Sequence, residues 1–173
     1  MVNVLVLLTA LLAQAVADPP LVDNDRVTVR EMPVVSGPAG SIGRQTSTSL
    51  WISVTPSKSI AITLKDKVVP PIPNTSGFPN AFPRPNNKKV YEDGRIIVWD
   101  YTWTPGQPTP MHFHDKDVVV IYFGKGALRS TTPDGKGVVN NWVTGDTRFN
   151  LRDRVHTETL VDGQLRAIIT ELK

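Results

Sequence analysis

The segment from Gly106 to Gly126, GQPTPMHFHDKDVVVIYFGKG, is the stretch whose reading decides the fold. Its first residues are punctuated by Gly106, Pro108 and Pro110, which fix φ or remove backbone donors and so forbid a regular element there. The run from Val118 to Phe123 is β-branched and aromatic, the composition of a buried strand. Between them stand His112 and His114. Residues two apart on a strand project from one face, so the two imidazoles point the same way. The chain has three histidines in all, and the remaining one, His156, also precedes a strand-like run. Neutral imidazole is the commonest protein ligand for first-row transition ions. Two ligands on one strand and a third from a neighbour form a facial set that leaves coordination positions open.

Outward from this segment the pattern stays the same. IIVWDYTW, GALRSTT, GVVNNWV and QLRAIITEL read as short strands, separated by turn signals at TPG, GKG, PDGKG and VDG. On the N-terminal side, RVTVREMPVV and SLWISVTPSKSIAITL form another strand-rich block. Prolines 70, 71, 73, 79, 83 and 85 crowd the stretch between the blocks, which predicts an extended strap. No long window carries a 3.6-residue apolar period, so the fold class is all-β. The expected organisation is a strand block over 18–66, a Pro-rich strap over 67–89 and a barrel over 90–173. Laying residues 24–40 over 93–109 puts Arg26 on Arg95, Val29 on Val98 and Gly37 on Gly106. If the first block is a degenerate half-repeat, Gly43 and Gln45 fall where the second copy has His112 and His114.

Composition narrows the chemistry. The chain is 173 residues long, enough for one packed domain, with 40% hydrophobic and 20% charged residues. A formal charge of +3, mostly dispersed, lacks the concentrated basic face that nucleic acid requires. There is no cysteine, hence no disulfide, thiolate ligand or thiol nucleophile. Residues 1–17, MVNVLVLLTALLAQAVA, are uncharged and end in a small-x-small site. They read as a signal peptide cleaved after Ala17, which predicts a periplasmic or secreted protein with no stable membrane span after cleavage.

The spacing of these residues resembles the cupin superfamily. Its first motif has a glycine, five residues, His-X-His, three or four residues, a glutamate, six residues and a glycine. Gly106, His112, His114, Val119 and Gly126 keep that spacing, with valine in place of the glutamate. The second motif maps onto Gly145, Leu151, Asp153, His156 and Leu160, of which the first glycine and the histidine are kept. The resemblance covers roughly residues 90–173. It implies a double-stranded β-helix, or jelly-roll barrel, with the N-terminal block as a strand extension, and it implies His112, His114 and His156 as metal ligands. It also implies one divalent transition metal (Fe, Mn, Ni, Cu or Zn), a small-molecule ligand or substrate and a homodimer. Glu158, two residues beyond His156 on the same strand face, is a further candidate ligand or a neighbour of the ion. With no glutamate the set is similar to three-histidine cupins, some of which are iron dioxygenases. A metal whose charge is not compensated by ligands favours a chelating or anionic substrate. The alternative reading is a non-catalytic small-ligand or sugar-binding module with a structural metal, since fold alone does not set function.

The remaining candidates carry two readings each. Trp99, Tyr101 and Trp103 share a strand face, either core or a stacking surface. Val119, Ile121 and Phe123 are expected to wall a dry pocket or to fill the barrel. Arg148, Arg152 and Arg154 are expected on solvated loops, with anion binding as the alternative. Asp115 and Asp117 are expected at an exposed turn, with a bond to a ligand histidine as the alternative. Asn74-Thr75-Ser76 fits a glycosylation acceptor.

Overall fold

The computed structural model describes residues 18–35 and 37–173; the expected leader, residues 1–17, lies outside the described residues. These contain twelve strands: β1 (Val22–Asp23), β2 (Val27–Pro33), β3 (Ile42–Thr46), β4 (Ser49–Thr55), β5 (Lys58–Leu64), β6 (Asn87–Glu92), β7 (Ile96–Thr102), β8 (His112–His114), β9 (Asp117–Thr131), β10 (Gly137–Val143), β11 (Thr147–Asn150) and β12 (Arg154–Leu172). No helix among the described residues is long and apolar enough to cross a membrane. The first five strands form one antiparallel sheet in the order β1-β2-β5-β4-β3. A second sheet has the order β10-β9-β12-β7-β6, with β11 added to β9 and β8 to β12.

Two of the expected turns are not turns. DVVVIYF and GALRSTT are one continuous strand, β9, and His156 shares β12 with QLRAIITEL. The reason is that the glycine segments meet across the ladder, with Gly163 opposite Gly126 and Gln164 opposite Lys125. Each segment is satisfied by the other's backbone, so the pair bends without breaking. Gly124 and Gly163 have φ of 91° and 76°. A Cβ on Gly124 would run into the Gln164 carbonyl, and one on Gly163 into the Lys125 carbonyl. A bulge between Leu160 and Asp162 adds one residue to β12. It also reverses parity: His156 and Leu160 face inward before it, Leu165, Ala167 and Ile169 after it.

The bent sheet has two apolar faces. On one, Val98, Val119, Ile121, Phe123 and Ile168 pack against Val27, Val29, Ile52, Ile60 and Ile62 of the first sheet. Val119, Ile121 and Phe123 are therefore not a pocket wall; they are the seam between the two sheets. Each such fully buried side chain contributes about 1.5–3 kcal/mol. Arg26 crosses the same seam to Asp117 at 2.5 Å, and both side chains are buried. Asp117 also accepts the Arg152 amide at 2.9 Å. Asp115 is buried too and pairs with Lys116 at 2.8 Å. The expected exposure of both aspartates is thus corrected: strand pairing around β8 and β9 covers the turn, and cations compensate the burial.

On the other face, Val118, Val120, Leu128, Leu160, Leu165 and Ile169 enclose Trp99, Tyr101 and Trp103. The aromatic stripe is core. The strap closes this side. Ala81 donates to the Phe113 carbonyl at 2.7 Å, and Phe113 donates to the Pro79 carbonyl at 2.8 Å. Arg152 donates to the Pro70 carbonyl at 2.6 Å. Proline's missing donors cost nothing here, because the prolines contribute only acceptors.

Gly163→Ala is expected to destabilise the protein by roughly 3 kcal/mol or more, since the φ penalty and the backbone clash add. Gly135→Ala has a similar φ of 81° but open space around the new methyl, and is expected to cost only about 1 kcal/mol. Urea melts of the two variants test this; equal costs would mean that the β9–β12 crossing is not tightly packed.

Candidate metal centre

Strand register assembles the site. In the β8–β12 pair His112 lies opposite His156, and His114 is two residues along on the same face as His112. The three rings form a near-equilateral triangle, with centroids 4.8 to 5.0 Å apart. One nitrogen from each lies within 4.8 Å of the others, and all three side chains are buried. Glu158 lies outside this cluster of donor nitrogens. Its carboxylate accepts from Arg84 Nη2 and from Trp103 Nε1, each at 3.2 Å.

Local partners fix the ring orientations. His112 Nδ1 donates to the Pro110 carbonyl at 2.7 Å, which leaves Nε2 as the nitrogen that carries the lone pair. His156 Nδ1 is held by Ser130 Oγ at 2.8 Å, and its Nε2 stands 3.0 Å from His114 Nε2. Outer partners of this kind are what orient metal-bound histidines. Burial, more than any charge, lowers all three pKa values, with His112 down to about 4 and His114 well below its ordinary value. The imidazoles are therefore neutral near pH 7, as ligation requires. Two imidazole nitrogens each about 2.1 Å from one ion, at roughly a right angle, are separated by about 3.0 Å. The His114–His156 spacing matches that value, and the His112 donor lies within 4.8 Å of both, so the residues could hold a transition ion.

Apolar side chains surround this triangle. Val119, at the spacing of the missing glutamate, points away into the inter-sheet seam; Val118 and Val120 face the histidines instead. Beside His156 opens a cavity of about 440 Å³, lined also by Tyr122, Ser130, Trp142 and Glu158. Arg148 and Arg154 line it as well, while Arg152 is turned to the strap. Asn74, in the expected glycosylation motif, is exposed, but its side-chain amide donates to the Phe78 carbonyl and Asn80 Oδ1.

Arg84 is the residue that the sequence reading missed. Its side chain is only 5% exposed, although it belongs to the strap. The guanidinium lies 4.1 Å above the Tyr101 ring and 4.9 Å from that of Phe82. Nη1 bonds His112 Nε2 at 3.2 Å while Nη2 holds Glu158. Burial by itself raises the Glu158 carboxyl; Arg84 foremost outweighs it and holds the group at about 2. The available signal was Pro83-Arg84-Pro85, a lone cation pinned between prolines.

No protein-family profile and no curated protein matches the chain. Solved structures do. A cupin-domain protein from Bordetella pertussis is 24% identical over 56% of this chain and 96% of its own, with a TM-score of 0.46. An RmlC-like cupin with a double-stranded β-helix fold, from Methanocaldococcus jannaschii, is 15% identical over 50% of this chain and 77% of its own, with a TM-score of 0.43. The polyketide cyclase RemF from Streptomyces resistomycificus is 20% identical over 61% of this chain and 80% of its own, with a TM-score of 0.42. Cupin-domain proteins are thus among the structures to which this chain is similar.

Two outcomes follow from the geometry. A histidine in the unfolded chain titrates near 6.5, whereas folded His112 titrates at about 4. On acidification the unfolded chain takes up protons first, so this contribution to stability is intact above pH 6.5 and lost between 6.5 and 4. The melting temperature of metal-free protein should fall across that window, and a flat profile would show that the histidines are not buried neutral. Separately, an ion on His112 Nε2 takes the lone pair that Arg84 holds. Arg84→Met removes both the competing donor and a positive charge, and should tighten Zn²⁺ or Ni²⁺ binding at least about tenfold in competition titrations. Unchanged or weaker binding would reduce Arg84 to a packing residue.

Proposed function

We propose that this chain is an exported, metal-dependent cupin-type protein, an oxidoreductase of the dioxygenase type acting on a small molecule. The observation that carries the reading is the triangle of three neutral, buried imidazoles, one of which, His156, lines a cavity large enough for such a molecule. His112, His114 and His156 would hold one divalent transition ion. When bound, such an ion would supply Lewis acidity and exchangeable coordination positions and, if redox-active, one-electron chemistry. The chain's own residues do the rest. Pro110 and Ser130 fix the imidazoles, and Val118, Val120 and Tyr122 keep bulk water from them. Arg84 neutralises Glu158, so that no uncompensated carboxylate competes with an incoming ligand. The leader-like residues 1–17 support export.

One observation favours the second reading, a non-catalytic small-ligand module with a structural metal. Glu158, the single carboxylate in the cavity wall, is locked by Arg84 and Trp103 and has no free role as a general base.

Elemental analysis of untagged protein from its native compartment, beside His112→Ala and His156→Ala, tests the proposal. Near one Fe, Mn, Ni, Cu or Zn per chain is expected, lost in both variants while they stay folded. No metal above background in folded wild-type protein would overturn it.

A further inference from the structure

The cavity beside His156 has a chemical character of its own. Arg148 on β11 and Arg154 at the start of β12 both line it, and no carboxylate among the described residues pairs with either. Arg154 is half-buried, and its Nε donates to the Leu151 carbonyl at 2.8 Å. Arg148 stands 5.8 Å from the Trp142 ring centre. Lys136, the third cation of the wall, is paired with Asp134, and Glu158 is paired with Arg84. Two like charges held beside neutral histidines are a standing cost, which a bound anion relieves.

The rest of the wall is not that of a site for a bare inorganic anion. Tyr122 and Trp142 stack at 4.2 Å and 9°, and Leu128 and Val138 extend the same surface. Ser130, Asn140 and Asn150 add neutral polar atoms. A ligand that uses the whole cavity therefore carries one negative, bidentate-accepting group and an apolar body.

We infer that the cavity is a binding site for a small organic carboxylic acid, its carboxylate read by Arg148 and Arg154 and its apolar body laid along Tyr122, Leu128 and Trp142. This deepens the proposed function by naming the substrate class of the same site, and it rests on that reading only for the acid's being a substrate. The binding itself depends on residues outside the histidine triangle.

The test uses benzoate, its neutral isostere benzamide and inorganic phosphate, titrated calorimetrically into the mature protein, with and without metal, and into His112→Ala. Benzoate is expected to bind at least about tenfold more tightly than benzamide or phosphate, the preference persisting in metal-free protein. Arg148→Gln and Arg154→Gln should each weaken benzoate about tenfold and leave benzamide unchanged. Arg148 is exposed, so its variant keeps the test available if Arg154→Gln fails to fold. Equal affinity for benzoate and benzamide, equal affinity for benzoate and phosphate, or arginine variants that bind like wild type would each overturn the inference. The two readings fail separately. Protein that carries no metal yet prefers benzoate sinks the metal proposal and keeps the acid site, whereas protein with one metal per chain and no such preference does the reverse.

Discussion

Everything in this molecule hangs on the ladder between β9 and β12. The two strands pair from Thr131 with Thr157 to Asp117 with Leu172, and the other strands of their sheet attach to one or the other, except β6, which attaches through β7. A flat ladder of that length would present one continuous face. The glycines at 124, 126 and 163 let it bend, and the bulge after Leu160 shifts the phase of β12 by one residue. As a result His156 and Ile169, of opposite parity, both face the same interior. The opposite face of the bent sheet is left to the first sheet, which covers it with Val27, Val29, Ile52, Ile60 and Ile62. One sheet thus serves two cores, one apolar and structural, the other aromatic and carrying the site.

The electrostatics of the second core follow from its dryness. Three imidazoles packed among valines and aromatics stay neutral because burial disfavours their charged forms. The one carboxylate beside them is kept ionised by a guanidinium that arrives from a different part of the chain. Burying such a pair is costly unless its bonds are well made, and here Trp103 and His112 take up further valences. Arg84 also links the strap to the histidines, since the side chain that closes the barrel is the one that caps His112.

Local features of the sequence carried much of this. Period-two patterning and turn residues gave an all-β chain, proline content gave an extended strap, and the spacing of His112, His114 and His156 singled out the site residues from a chain with no other histidine. These are properties of neighbouring residues, which the backbone's own geometry converts into structure. Tertiary structure decided the rest. GKG and VDG look like turns in isolation, and only their mutual pairing makes them a bend. Val119, Ile121 and Phe123 could have faced either core, because alternation gives two faces and does not say which one meets the barrel interior. Asp117 looked solvent-exposed until Arg26, on the first sheet, came to it. Arg84 entered the site from the strap, and Arg148 and Arg154 became cavity walls by the way β11 and β12 pair with β9 and β8. Such meetings depend on which surfaces are buried against each other, and that is fixed by the packing of distant segments and not by the residues on either side.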